Sequence, residues 1–234
     1  MLGLANSITG GVLSGFEPTN VSNLSMWLKN DTGITAAKWA DQSGNDNYIA
    51  QSSAGDQATV TAGGYDFEGD QDDHYDIQTA IDLGGSNAFT VFVVVNLESY
   101  DSQNTLLSVT SGNDRFLEFQ NADQMRYRQT STTAVLKFEE EGMFPLATKM
   151  LITFNKHTDR SIRVYKNGTL LNQGDSTGVP VGSGAFLANQ FGGRSSGPDR
   201  DFDGIIYEFL LYESSLSVGD LSDVHDYLTT KHGL

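Results

Sequence analysis

The sequence predicts an all-β fold: a two-sheet antiparallel sandwich with a short C-terminal helix. Three observations carry that prediction. Short runs of β-branched and aromatic residues recur along the chain with Gly, Asn, Asp and Ser between them, the pattern of a sandwich or jelly roll. Residues 89–95 (FTVFVVV) are apolar on both faces, as a central strand covered from both sides would be. Residues 203–234 read as a strand followed by a capped helix. With 234 residues, 38% of them hydrophobic, and 25 glycines for turns, the chain is long enough for one undivided β domain.

The elements follow in order. Residues 1–20 read as an N-terminal assembly arm: Leu2, Leu4, Ile8, Leu13 and Phe16 are spaced too irregularly for a helix or strand. They are expected to add apolar contacts to a neighbouring subunit, and the chain to form a homo-oligomer. Residues 21–234 form the sandwich. Within it, residues 105–109, 116–119, 125–128, 150–154 and 161–166 are short strands with polar turns between them. Asn167-Gly168 is the strongest two-residue hairpin signal, since both positions tolerate positive φ. Along residues 203–212, alternation puts Ile205, Tyr207, Phe209 and Leu211 on one face and Ile206, Leu210 and Tyr212 on the other. Ser217 is the helix N-cap, with Asp220 three residues on; Leu216 and Leu221 occupy the two positions of a hydrophobic staple. Leu221, Val224 and Leu228 form the apolar stripe, and Gly233 is the stop.

Charge and cysteine usage bound the partners. Thirty acidic against 14 basic residues give a formal net charge of −16, which repels phosphate backbones and anionic lipid. Neither nucleic acid nor a membrane surface is expected as a partner. There are no cysteines, which excludes thiolate chemistry and favours folding in a reducing cytoplasm. The start of the chain lacks a signal-peptide pattern, and the longest apolar run is too short to span a bilayer.

Four segments, in order, carry a family resemblance. Leu24 and Trp27 are followed by Trp39-Ala40-Asp41-Gln42-Ser43-Gly44-Asn45; residues 65–75 contain Phe67, Gly69, Asp72, Asp73 and Tyr75; residues 162–168 form a hairpin; the close carries Phe202, Gly204, Ile206, Glu208, Tyr212, Leu216, Ser217, Val224, Tyr227, Leu228, Lys231 and Gly233. Together they resemble laminin-G-like domains of the concanavalin A-like lectin/glucanase superfamily over residues 21–234. The resemblance implies a concanavalin A-like jelly roll. The opening residues are in turn similar to those of laminin-G-like virion proteins of marine bacteriophages.

That superfamily includes glucanases, so carboxylate pairs need a direct test. Retention of configuration requires two carboxyl groups roughly 5 Å apart, placed by the family on one strand in a pattern like E-x-D-x-x-E. No such pattern occurs. Glu139, Glu140 and Glu141 are consecutive and read as a solvated loop; Glu208 is the only acid of its strand and reads as a structural hydrogen-bonding group. No serine or histidine motif points to nucleophilic catalysis, and Gly192-Gly193-Arg194 lacks the context of a phosphate cradle. No catalytic residue and no metal ligand is therefore assigned. Calcium is the one cofactor that comes into view, at Asp70, Asp72 and Asp73 and at Asp199, Asp201 and Asp203, but solvated turns are the favoured reading of both clusters. Tyr48, Tyr100 and Tyr127 are candidates for a sugar-stacking platform, whereas Trp27 and Trp39 are expected in the core.

The functional expectation is a non-catalytic bacteriophage virion structural protein that decorates the capsid or an appendage and helps host-surface attachment. Its partners would be other virion proteins and host glycans, and its place the virion surface after assembly in the host cytoplasm. The alternative is a carbohydrate-binding adhesion module; a glycan-cleaving enzyme ranks third.

Overall fold

A computed structural model of the chain describes residues 15–101, 103–110, 115–129, 136–171, 184–194 and 200–234. Its strands, in chain order, are β1 (Leu24–Leu28), β2 (Ile34–Thr35), β3 (Lys38–Trp39), β4 (Ile49–Ala50), β5 (Thr59–Val60), β6 (Tyr65–Phe67), β7 (Tyr75–Asp82), β8 (Phe89–Leu97) and β9 (Asn104–Ser108). There follow β10 (Phe116–Asn121), β11 (Gln124–Arg128), β12 (Leu136–Glu139), β13 (Met150–Lys156), β14 (Ile162–Lys166), β15 (Thr169–Leu170), β16 (Leu187–Phe191) and β17 (Gly204–Tyr212). Helix α1 spans Val218–His232.

The strands form two antiparallel sheets. One is ordered β15-β14-β13-β8-β17-β6-β5, with β1 also paired to β17; the other is ordered β12-β11-β10-β9-β16-β7-β4-β3-β2. The predicted sandwich is thus the observed one. Strand β8 lies between β13 and β17, as its two apolar faces require. Val91, Val93 and Val95 enter the core between the sheets, while Phe92 and Val94 face the other way, under α1. The helix is capped as expected. Ser217 Oγ accepts a hydrogen bond from the Asp220 amide at 3.2 Å, and Gly233 closes the helix at φ 67°.

The alternation read in β17 needs one correction. A bulge between Ile206 and Glu208 resets the register against β8. Ile206 therefore shares the inner face with Phe209 and Leu211, while Ile205 and Tyr207 are half-exposed. One extra residue in a strand moves every later side chain to the opposite face, which alternation alone cannot foresee.

The Trp39–Asn45 motif is a clamp on β1. Asp41 Oδ1 accepts from the amides of Trp27 and Ser43, each at 2.8 Å; Oδ2 accepts from Ser43 Oγ at 2.7 Å and the Asn47 amide at 3.0 Å. Asn45 Nδ2 donates to Leu24 O at 2.7 Å, and Asn47 Nδ2 to Ser25 O at 2.9 Å. These bonds satisfy backbone groups that an irregular loop beside a buried strand would otherwise leave unpaired. Trp39 is fully buried against Tyr65 and donates its indole N–H to Lys29 O. Among the described residues no helix is long and apolar enough to cross a membrane.

Candidate functional site

The two sheets treat their outer faces differently. On the first, α1 lays Leu221, Val224 and Leu228 onto Trp27, Phe92, Val94, Leu151, Leu210 and Tyr212. That cover is pinned by Glu208 of β17, which is fully buried. Its carboxylate accepts from the Trp27 indole at 2.8 Å, from Lys231 Nζ at 2.7 Å and from His232 Nε2 at 2.7 Å. Burial pushes this carboxyl upward, but the His232 bond and the Lys231 ammonium outweigh it and hold it below the usual range. Glu208 is therefore the structural acid the sequence suggested, with side-chain partners on β1 and α1.

Among the described residues α1 is the only α-helix, and the outer face of the nine-stranded sheet has no such cover. Strand β7 shows why a face can be read there. Tyr75, Ile77 and Ile81 point into the core, and Asp76, Gln78 and Ala80 point out and are exposed. The same side of β16 presents Leu187, 52% exposed, and, two residues on, the half-exposed Asn189; opposite them five steps of β7 (Asp76 to Ile81) face two of β16 (Gln190 to Ala188), so the irregularity lies in β7.

These residues line two hollows that meet at Asn189. The first, about 470 Å³, is walled by Ala50, Ser52, Asp76, Ile77, Gln78, Thr110 and Asn189. The second, about 280 Å³, is walled by Ala80, Val109, Arg115, Ala185, Leu187 and Asn189. Asn189 is held in place: its Oδ1 accepts from the Thr110 amide at 2.9 Å, and its Nδ2 donates to Thr110 Oγ1 at 3.0 Å. Arg115 Nε donates to Ala185 O at 3.0 Å. Asp76 faces the hollow with no cation at ion-pair distance among the described residues. The trough thus offers amides, hydroxyls and one carboxylate above a low apolar floor. Such a surface accepts and donates hydrogen bonds.

Beside the trough the same face carries a buried ion cluster. Glu118 of β10 meets Arg126, whose Nε lies 2.7 Å from Oε1, and Arg194, whose Nη1 lies 3.0 Å from Oε2. Arg194 is only 2% exposed and lies 4.4 Å over the Phe116 ring. Burial pushes the Glu118 carboxyl up to about 7, against the pull of Arg126 and Arg200. Ser108 Oγ links the cluster to the trough strand, 2.6 Å from Gly193 O and 3.2 Å from Gln190 Oε1. Gly192, at φ 77°, sits where an added Cβ would lie 2.3 Å from the Phe67 ring, so the Gly192-Gly193 pair serves close packing.

The sites expected from sequence fall as follows. Leu2, Leu4, Ile8 and Leu13 lie outside the described residues. Phe16 packs edge-on to Tyr227 of α1, with ring centroids 6.1 Å apart, and the neighbouring Pro18 is buried with its carbonyl accepting from Tyr212 OH at 3.0 Å. Residues 16–20 therefore lie against the helix-covered side of their own sandwich.

Of the first acidic cluster, Asp73 is buried and accepts the Glu68 amide, whereas Asp70 and Asp72 are exposed. Of the second, Asp201 is buried and accepts the Arg194 amide at 3.3 Å; Asp199 lies outside the described residues. Among the described residues no three acidic or imidazole side chains are arranged to hold a metal.

The aromatic candidates also sort out. Trp27 and Trp39 are core residues, as expected. Tyr127 is buried with its hydroxyl on Leu83 O, and Tyr100 OH donates to Phe144 O, so neither forms a platform. Tyr48 is half-exposed next to Gln78, but Lys38 Nζ lies 3.3 Å from its ring centroid. Sequence reasoning missed Asp76, Gln78 and Asn189. The outward alternation of residues 75–81 was a usable signal for the first two; Asn189, two residues after the exposed Leu187, joins them only through the pairing of β16 with β7.

Known proteins place this geometry in context. The chain superimposes on Trypanosoma rangeli sialidase in complex with 2,3-difluorosialic acid with a TM-score of 0.63 at 16% identity, covering 90% of this chain and 33% of that one. It superimposes on domain 4 of AbnA, a Geobacillus stearothermophilus arabinanase, in complex with arabinotriose, with a TM-score of 0.56 at 17% identity, covering 87% and 98%. Botulinum neurotoxin serotype D ligand-binding domain in complex with N-acetylneuraminic acid gives 0.58 at 15% identity, covering 88% and 51%. The chain spans a third of the sialidase, and at these identities the likeness concerns the fold alone. No curated protein sequence matches the chain. The family profile Laminin_G_3 matches residues 67–222, two-thirds of the sequence, and with the sandwich described above the chain belongs to the concanavalin A-like lectin/glucanases superfamily.

Proposed function

We propose that this chain is a non-catalytic binding protein whose nine-stranded face holds a carbohydrate. The observation that carries the reading is the open trough around Asn189, lined among the described residues by amides, hydroxyls and a single carboxylate, on a face that no described helix covers. Sugars present hydroxyl edges and aliphatic faces, which this mixture of Asp76, Gln78, Thr110, Leu187 and Ala80 suits. The sugar ligands held by the fold neighbours lend support as to ligand class.

The absence of turnover is part of the proposal. Among the described residues Asp76 is the one acid lining the trough, and hydrolysis with the usual geometry needs two. The buried Glu118 and Glu208 are each engaged by cations. A glycan array followed by calorimetric titration tests the reading. Reproducible binding without release of reducing sugar supports it; a silent array or sustained turnover overturns it.

A virion setting is the second reading, supported by the similarity of the opening residues to those of laminin-G-like virion proteins and by the packing of Phe16. Phe16 lies against Tyr227 of α1, on the side of the sandwich away from the trough. Residues 1–14 would then tether the domain to a phage particle from one side and leave the other free for host glycans. Particles assembled with the chain lacking residues 1–14 should lose the protein, as read by mass spectrometry of purified virions. Full retention would contradict the tether.

A further inference from the structure

The trough's own residues select among saccharides, and this inference rests on the glycan reading above. Its polar half is built from Gln78, Asn189, Thr110, Ser52 and the exposed Asp76. A sugar carboxylate or sulfate placed there would face Asp76 with no described cation at ion-pair distance to compensate. Two cations border the trough, each held by a neutral partner rather than by a carboxylate. Lys38 lies on β3 opposite Ala50, but its Nζ sits 3.3 Å from the Tyr48 ring centroid. Arg115 is at the far, apolar end, with Nε on the Ala185 carbonyl. The whole chain adds a repulsive field, with a net charge of −16.

Shape points to a chain rather than a chain end. Asp76, Gln78 and Ala80 occupy successive outward positions of β7. Ala50 pairs with Asp76 at one end of this line and Leu187 with Asp82 at the other, so the hollows follow β7. The two hollows join at Asn189, so the polar half and the floor of Ala80, Val109 and Leu187 are continuous. No aromatic ring lines either hollow. Without stacking, each sugar unit gains little, and useful affinity must accumulate over several units.

We propose that the trough binds an internal stretch of a neutral glycan chain laid along β7. Amide and carboxylate groups take the hydroxyls at the Asp76 end, and Leu187 and Ala80 support the C–H faces at the other.

The test is calorimetric titration of the full chain with neutral oligosaccharide series (arabino-, xylo-, manno- and gluco-) of two to six units. Sialyllactose and a sulfated disaccharide are run in parallel at low and at physiological ionic strength. At least one neutral series should bind, with affinity rising about tenfold or more from dimer to tetramer. The acidic probes should not bind in the same range. Asp76→Lys, a substitution at an exposed position, should weaken the neutral tetramer and raise the response to sialyllactose.

An acidic probe that binds more tightly than every neutral one overturns the proposal, as does a dimer that matches the tetramer. Either result would leave glycan binding itself intact. Silence from every probe would sink both the selectivity and the glycan reading beneath it.

Discussion

Each sheet carries one fully buried glutamate on its outer side, and the two are handled in opposite ways. Glu208 is closed over by α1 and meets an ammonium, an imidazole and an indole N–H; these hold its carboxyl below the usual range despite burial. Glu118 meets two guanidinium groups, yet burial prevails and its carboxyl rises to about 7. The helix-covered face therefore behaves as part of the core, with its charge committed to holding α1 in place. The other face keeps a costly buried cluster beside an open polar trough. In a domain whose stability is a small difference of large terms, a cost retained next to a cavity is consistent with the proposed binding face.

The comparison can be broken at several strengths. The largest effect is expected from Glu208→Ala, which leaves Lys231 and His232 without their shared partner. Removing one member of a buried ion pair costs about 3–5 kcal/mol, read as a lower denaturation midpoint. A small loss would mean that α1 is held by apolar contacts alone. Next comes Leu228→Ala in the fully buried stripe beneath α1. It should cost about 2–5 kcal/mol, the range for large-to-small core changes, and urea unfolding measures it.

The two glutamates also predict pH dependences of opposite sign. Glu208 has a depressed folded-state value, so its contribution is complete above the ordinary 4.5 and is lost as pH falls below it. Glu118 is raised from 4.5 to about 7, so its contribution is present below 4.5 and is lost as pH rises towards 7. Relative to Glu118→Gln, the wild type should lose stability across that window. Parallel pH profiles would show that the guanidinium groups, not burial, control this carboxyl. The smallest stability effect belongs to Asn189→Ala: within about half a kcal/mol for a surface position, with a clear loss of glycan affinity. An equal loss of melting temperature and binding would make Asn189 structural.

How much could be read without coordinates follows the same division. The helix-covered half was legible because its signals are local. Ser217, the Leu216–Leu221 staple and Gly233 fix α1; the two-faced apolar run of β8 fixes a central strand; Asn167-Gly168 fixes the β14–β15 hairpin, with both residues at positive φ. Glu208 was recognised as structural, but its partners, on β1 and at the end of α1, are set by tertiary contact.

The trough was not legible. Its residues come from β4, β7, β16 and the turn after β9, which only the pairing of distant strands brings together. The Glu118–Arg126–Arg194 cluster was invisible for the same reason, since 76 residues separate Glu118 from Arg194. Tyr127 read as a candidate for sugar stacking and is core, its strand β11 pairing on both sides, with β10 and β12.

The central claim is that the uncovered face of the nine-stranded sheet is the binding face. It is tested most directly by amide hydrogen exchange of the full chain with and without a saturating neutral tetrasaccharide that binds in titration. The account predicts added protection confined to β4, β7, β16 and the residues around Thr110, with α1 and β17 unchanged. Protection centred on α1, or spread evenly over both faces, would contradict it.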